Sequence, residues 1–298
     1  MENGILNYRL KLKRLLKFIP KFRPITTILI LPILLFYAYF IEPNWIEINS
    51  IHLTLPHLAQ EFNNYRLVQI SDIHISKWMT QKRLNYVFQL VNAQKPDLIV
   101  LTGDFVSRRQ QRFIPLLQNT IGQLNAPDGK IAVLGNHDYW SDPEGVDQAL
   151  TTNQIQNLRN AVTQISRGKA KLYIAGVDDV MVGQHRLDRV INNLPHDGAA
   201  ILLAHEPDFA DTSVKTHKFD LQLSGHSHAG QLRIPFVTPP VLPILGRKYY
   251  AGLYDLGEMK LYTNRGIGMT GFHLRFNARP EITVFTLDAG SRELGVGD

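Results

Sequence analysis

RLVQISDIHISKWMTQKRLNYVFQLVNAQKPDLIVLTGDFV, residues 66–106, decides the fold. It opens on RLVQIS and closes on DLIVLTGDFV, two short runs rich in Val, Ile and Leu and cut off by Gly or Asp. Between them Leu84, Val87, Phe88 and Val91 recur at helical spacing, and Thr80 stands where an N-cap belongs. Strand, helix, strand is the unit of an α/β layer whose strands are largely buried.

The alternation continues outward through KIAVLG (130–135), KLYIAGV (171–177), AAILLA (199–204), LQLSG (221–225), MKLYTN (259–264) and EITVFTL (281–287). Residues 65–298 therefore read as one α/β domain, and residues 42–64 as a connector with an edge strand at 45–53. Residues 232–246, LRIPFVTPPVLPILG, hold four prolines and read as an irregular apolar loop.

Residues that follow buried strands sit at the carboxyl edge of the sheet, where open α/β sheets bind ligands. Asp72 and His74 follow the first strand and Asp104 the second; Asn136, His137 and Asp138 follow the third. His205, then His226 and His228, follow later strands. The two-residue spacing of Asp72 and His74 puts both on one face if the strand runs that far. One such residue is ordinarily a turn or cap residue; five successive strand ends carrying carboxylate, amide or imidazole groups point to borderline divalent metals.

In order, DIH (72–74), GDFV (103–106), GNHD (135–138), AHE (204–206) and GHSH (225–228) resemble the motifs of the calcineurin-like metallophosphoesterase superfamily. GVDD (176–179), GHSHAGQLRIP (225–235), RGIG (265–268) and RPEITVFTL (279–287) are similar to its membrane-associated bacterial branch. The resemblance implies a four-layer α/β/β/α sandwich of two mixed sheets. It implies a first divalent ion on Asp72, His74 and His228, a second on Asn136, His205 and His226, and Asp104 bridging them. Mn, Fe and Zn all accept this ligand set. It places His137 beside the scissile ester as proton donor, oriented by Asp138. The reaction so implied is hydrolysis of a phosphodiester or pyrophosphate bond by a hydroxide that the two ions share. A non-catalytic, membrane-tethered scaffold is the alternative reading; it is disfavoured because every ligand and His137 are present.

The chain has 298 residues, 44% hydrophobic and 19% charged, with no cysteine, which excludes disulfides, zinc-thiolate sites and thiol nucleophiles. The net charge of +6 comes from the first 24 residues; beyond them basic and acidic residues balance, so nucleic acid is not an expected partner. Residues 1–24 read as a basic cytoplasmic segment ahead of the uncharged run 25–41, ITTILILPILLFYAYFI. A transmembrane signal-anchor, a cleaved signal peptide and a helix lying on a surface all fit that run. The first is the expectation, with membrane attachment through 25–41 and, by the positive-inside rule, an extracytoplasmic catalytic domain. Arg233, Arg247, Lys248 and Arg265 are expected to bind the substrate phosphate, and the apolar loop to accept a lipid-linked substrate such as a lipid sugar nucleotide.

Overall fold

The computed structural model describes residues 24–235 and 237–290. In chain order the first strands are β1 (Glu47–Leu55), β2 (Tyr65–Ile70), β3 (Leu98–Thr102), β4 (Lys130–Val133) and β5 (Ile155–Asn157). Then come β6 (Ala161–Arg167), β7 (Ala170–Gly176), β8 (Ala199–Leu203), β9 (Leu221–Ser224), β10 (Gly252–Asp255), β11 (Lys260–Thr263) and β12 (Glu281–Ala289). They form two six-stranded mixed sheets, ordered β1-β12-β2-β3-β4-β5 and β10-β11-β9-β8-β7-β6. Strands β2 to β5 are parallel, as are β7, β8, β9 and β11; β12, β6 and β10 run antiparallel to their neighbours β2, β7 and β11.

Strand pleating explains the layers. Leu67, Leu98, Val100, Ile131 and Val133 point inward and meet Leu172, Ile174, Ile201, Leu203 and Leu223 of the other sheet. Their neighbours Val68, Ile99 and Leu101 point the other way, against Leu84, Val87, Phe88 and Val91 of α2 (Gln81–Ala93). On the far side Tyr173, Ala175, Ala200 and Leu202 pack on Val190 and Phe209. The result is an α/β/β/α sandwich, as expected. Each fully buried Leu, Ile or Val contributes roughly 1.5–3 kcal/mol of transfer free energy. Thr80 Oγ1 accepts the Arg83 N–H and caps α2.

The apolar run at 25–41 is corrected by the structure. Its described α-helix, α1 (Pro24–Phe36), has 13 residues and gives way to a π-helical turn, Tyr37–Ile41, and a 3₁₀ turn, Glu42–Asn44. Thirteen residues rise about 20 Å, short of a hydrocarbon core of about 30 Å. No helix among the described residues is long and apolar enough to cross a membrane. The single-pass anchor is thus overturned, and with it the localisation that rested on it. The physical reason is that the domain uses the end of the run. Ala38 is buried and its carbonyl accepts the Arg275 N–H, Tyr37 packs edge-on against Phe276, and the buried Glu42 accepts the Ala278 N–H. The basic segment before it lies outside the described residues, apart from Pro24.

Candidate metal centre

The loops after β2, β3, β4, β8 and β9 converge where the two sheets meet at one edge. Asp72, His74 and His228 bring ligand atoms within 4.8 Å of one another, and so do Asp104, His205 and His226. His74, Asp104 and His137 form a third such group between them. All the expected ligands, Asn136 included, are buried; His137 is half-buried.

The backbone that achieves this is not a continued strand. β2 ends at Ile70, and Asp72 and His74 both adopt left-handed backbone, with φ 51° and 48°. Asp104, His226 and His228 do the same, at 58°, 69° and 50°. A non-glycine residue held there costs on the order of 1–3 kcal/mol, a strain that persists only where the surroundings over-determine it. The surroundings here are tight. A Cβ on Gly225 would lie 1.9 Å from Ser71 Oγ, and one on Gly135 2.4 Å from Asp104 Oδ1. The His226 N–H donates to both Asp72 oxygens at 3.1 and 3.0 Å, tying the second sheet's edge to the first.

Hydrogen bonds fix several rings. His205 Nδ1 donates to the Thr102 carbonyl at 2.7 Å, leaving Nε2 inward, 3.2 Å from His226 Nδ1. His226 Nε2 donates to the Ile244 carbonyl at 2.8 Å. Outer partners of this kind select the tautomer of a metal-ligating histidine. His74 Nε2 and His228 Nε2 face each other at 3.0 Å. Two facing imidazole nitrogens leave at least one lone pair unmatched unless a proton or cation lies between them. Asn136 Oδ1 and His74 Nδ1 are buried without a partner. The orphaned Asn136 oxygen, the paired imidazoles and two carboxylates fit a divalent cation set well.

Charge follows the same pattern. Burial opposes ionisation of Asp104, but His205, His137 and His74 outweigh it and hold the carboxyl well below its ordinary range. Burial likewise opposes Asp72, and His228 beside it reverses the sign. His205 is pushed down by burial yet ends well above its usual value because Asp104 is so close. Burial keeps His74, His137 and His226 low.

Asp138 makes no carboxylate hydrogen bond to the His137 ring. Its carboxylate accepts backbone N–H groups from Asp104, Gly135, Phe105 and Val106 at 2.9, 3.0, 2.8 and 3.1 Å, and so clamps the loop that carries Asp104. Burial, then the neighbouring Asp104 charge, push it up to about 7. His137 is oriented instead by the Arg108 backbone N–H, which donates to Nδ1 at 3.0 Å.

The four expected phosphate-binding cations have differing surroundings. Arg265 is engaged by Glu281 and Glu47, Lys248 by Asp211, and the backbone N–H groups of Arg247 and Lys248 by Asp208. Arg233 donates its backbone N–H to Phe276, and none of the four lines the cavity over the cluster. That cavity, about 390 Å³, is walled by Trp140, Met181, Leu232, Leu242, Pro243 and Phe272. Phe236, in the same apolar loop, lies outside the described residues.

Sequence reasoning missed Arg275, the largest fully buried side chain. It donates to the carbonyls of Ala278, Arg265, Gly266 and Gly268 and lies 3.5 Å behind His228 Nδ1. Burial pulls it down to about 9. It also missed Met181, carried to the cavity because Glu206 accepts the Val180 and Met181 N–H groups; AHE and GVDD held the signal.

The sequence profile of the calcineurin-like phosphoesterases matches residues 65–230. The metallophosphoesterase YkuE of Bacillus subtilis is 39% identical over 258 residues, covering 84% of this chain and 88% of its own. The phosphodiesterase YaeI of Escherichia coli is 31% identical over 255 residues, covering 84% and 92%. The UDP-2,3-diacylglucosamine pyrophosphatase LpxG of Chlamydia muridarum is 26% identical over 315 residues, covering 87% and 95%. Among solved structures, a 5′-nucleotidase of Staphylococcus aureus matches with a TM-score of 0.46 at 11% identity, over 78% of this chain and 56% of that one. Fold, site and relatives together define a metal-dependent phosphoric ester hydrolase. The chain belongs to the calcineurin-like phosphoesterase family.

Proposed function

We propose that the chain hydrolyses a phosphodiester or pyrophosphate bond with two divalent cations. Asp72, His74 and His228 hold one, Asn136, His205 and His226 the other, and Asp104 is shared. The observation that carries this reading is the position of Asp104. Its Oδ2 lies 3.4 Å from His74 Nε2 and 3.3 Å from His205 Nε2, so one carboxylate faces both ligand groups. When bound, the cations acidify a shared water and neutralise phosphoryl oxygens.

The residues around them do the rest. Because a backbone N–H only donates, His137 Nδ1 is an acceptor, and the neutral ring carries its proton on Nε2. An uncharged imidazole can donate a hydrogen bond from Nε2 to a leaving or phosphoryl oxygen, stabilising the charge that develops there while keeping its proton. Trp140, its ring 5.1 Å from that of His137, walls this side of the site. The apolar cavity over the cluster suits a substrate whose phosphate carries an apolar tail, and the lipid-linked substrate class of LpxG supports that reading.

Asp104→Asn tests the core of the reading. With the shared negative charge gone, at least one of two bound cations is lost on elemental analysis, and hydrolysis of bis(p-nitrophenyl) phosphate in Mn²⁺ falls by more than about 10³-fold. Two retained cations with undiminished turnover would refute it. Higher kcat/KM on an acylated pyrophosphate in micelles than on its deacylated head group supports the lipid-linked class; equal values exclude it.

A further inference from the structure

His137 and Trp140, with Thr270 and Gly271, wall a second cavity of about 680 Å³ on the other side from the apolar one. Its remaining lining is basic and polar apart from Met269: Lys77, Arg108, Arg112 and His273 with two serines and a glutamine, and no Asp or Glu. Among the described residues Arg159, Arg167, Lys171, Lys248, Lys260 and Arg265 each pair with a carboxylate, while other cations, such as Arg109 and Arg247, do not; what sets this groove apart is that three unpaired ones line one concavity. Lys77, Arg108 and Arg112 meet no carboxylate among the described residues. Arg108 instead lies over the Trp140 ring, 4.8 Å from its centroid, and Arg112 over Phe113.

Three cations gathered without a counter-charge repel one another, and a concave wall of one sign concentrates anions. Two guanidinium forks match the tetrahedral oxygens of a phosphoryl group better than ammonium groups would. The wall shared with the catalytic cavity fixes where such a group would sit relative to the reacting phosphorus. It lies beyond His137 and Trp140, away from Met181, Leu242 and Phe272.

We propose that this groove is a second anion subsite, and that the natural substrate carries a further phosphoryl group on the side of the scissile phosphorus opposite its apolar part. The proposal rests on the phosphoesterase reading of the neighbouring cluster. It makes the substrate two-faced, with a tail over the apolar wall and a second charge over the basic one.

Two diesters with the same leaving group test it: thymidine 5′-(p-nitrophenyl phosphate) with and without a 3′-phosphate. The 3′-phosphorylated ester is expected to show about tenfold higher kcat/KM, the size of two or three partly exposed charge contacts. The preference should shrink as salt is raised through the range where exposed charges are screened. Lys77 and Arg112 are exposed, so Lys77→Glu with Arg112→Glu is expected to keep the fold and to turn the ratio below one. Equal kcat/KM for the two esters, or a preference that survives charge reversal, overturns the subsite. Hydrolysis of neither ester would instead break the phosphoesterase reading. The subsite is then decided by calorimetry, since equal binding of thymidine 3′,5′-bisphosphate and thymidine 5′-monophosphate overturns it.

Discussion

At His226 and His228 the chain is buried, left-handed and bonded to both sheets, whereas a little further along the same loop Val241 and Ile244 are 65% and 58% exposed. The two regions pack closely and share a hydrogen bond, from His226 Nε2 to the Ile244 carbonyl. The difference shows where each kind of work is placed. Ligand loops spend stability on strained backbone to fix atoms to tenths of an ångström. The apolar loop gives the site a carbonyl and leaves most of its side chains outside the packed core, where substitution is cheap and can alter which substrate is favoured.

The largest effect that would break this division is at His137. His137→Ala should retain both cations by elemental analysis while kcat falls about 10²–10³-fold, the cost of removing one positioned donor. The ring also shares a candidate ligand group with His74 and Asp104. Loss of a cation in this variant would move His137 to the ligand side of the comparison.

Asp138→Asn comes next. An amide offers one acceptor oxygen where the carboxylate serves four N–H groups. Stability of the metal-free chain in urea should fall by about 2 kcal/mol from buried donors left unpaired. An unchanged denaturation midpoint would show that the Asp104 loop is held by something other than this clamp.

The smallest effect sharpens the outer half of the comparison. Val241→Ser with Leu242→Ser should cut the kcat/KM advantage of an acylated substrate over its head group by roughly tenfold, from the apolar contact removed, with the thermal midpoint shifted by less than about 2 °C. A large loss of stability with no change in the substrate ratio would assign the loop to core packing.

Much of this was legible in the sequence, because buried parallel strands announce themselves as short aliphatic runs and because ligand types at successive strand ends are rarely accidental. The helix over α2, its Thr80 cap, the edge strand near residue 47 and every clustered ligand follow from that pattern. The edge strands β6 and β10 did not, since AVTQISR and GLYD are half exposed and lack an aliphatic run. Nor did Asp138's partners. Motif adjacency placed it on His137, but one turn of helix instead turns its carboxylate toward backbone that arrives from residues 104–106. Of the four basic residues expected at the phosphate, Arg265 and Lys248 are ion-paired, and none walls the cavity over the cluster. The cations that line a groove come from residues 77, 108 and 112, brought there by tertiary closure alone. The run at 25–41 misled because hydropathy cannot see that its last turn is spoken for by Arg275 and Phe276.

The bond from His226 to Asp72 joins residues 154 apart in the chain. A cation held by Asp72, His74 and His228 therefore has no complete site until both sheets have formed and docked. Closing so long a loop is entropically slow compared with forming either sheet's local strand–helix units. Metal capture would then be among the last events of folding, and once made would act as a rivet that slows the sheets from parting. Cations would then prolong the lifetime of the folded chain mainly by lowering its unfolding rate, with little gain in the rate at which it folds.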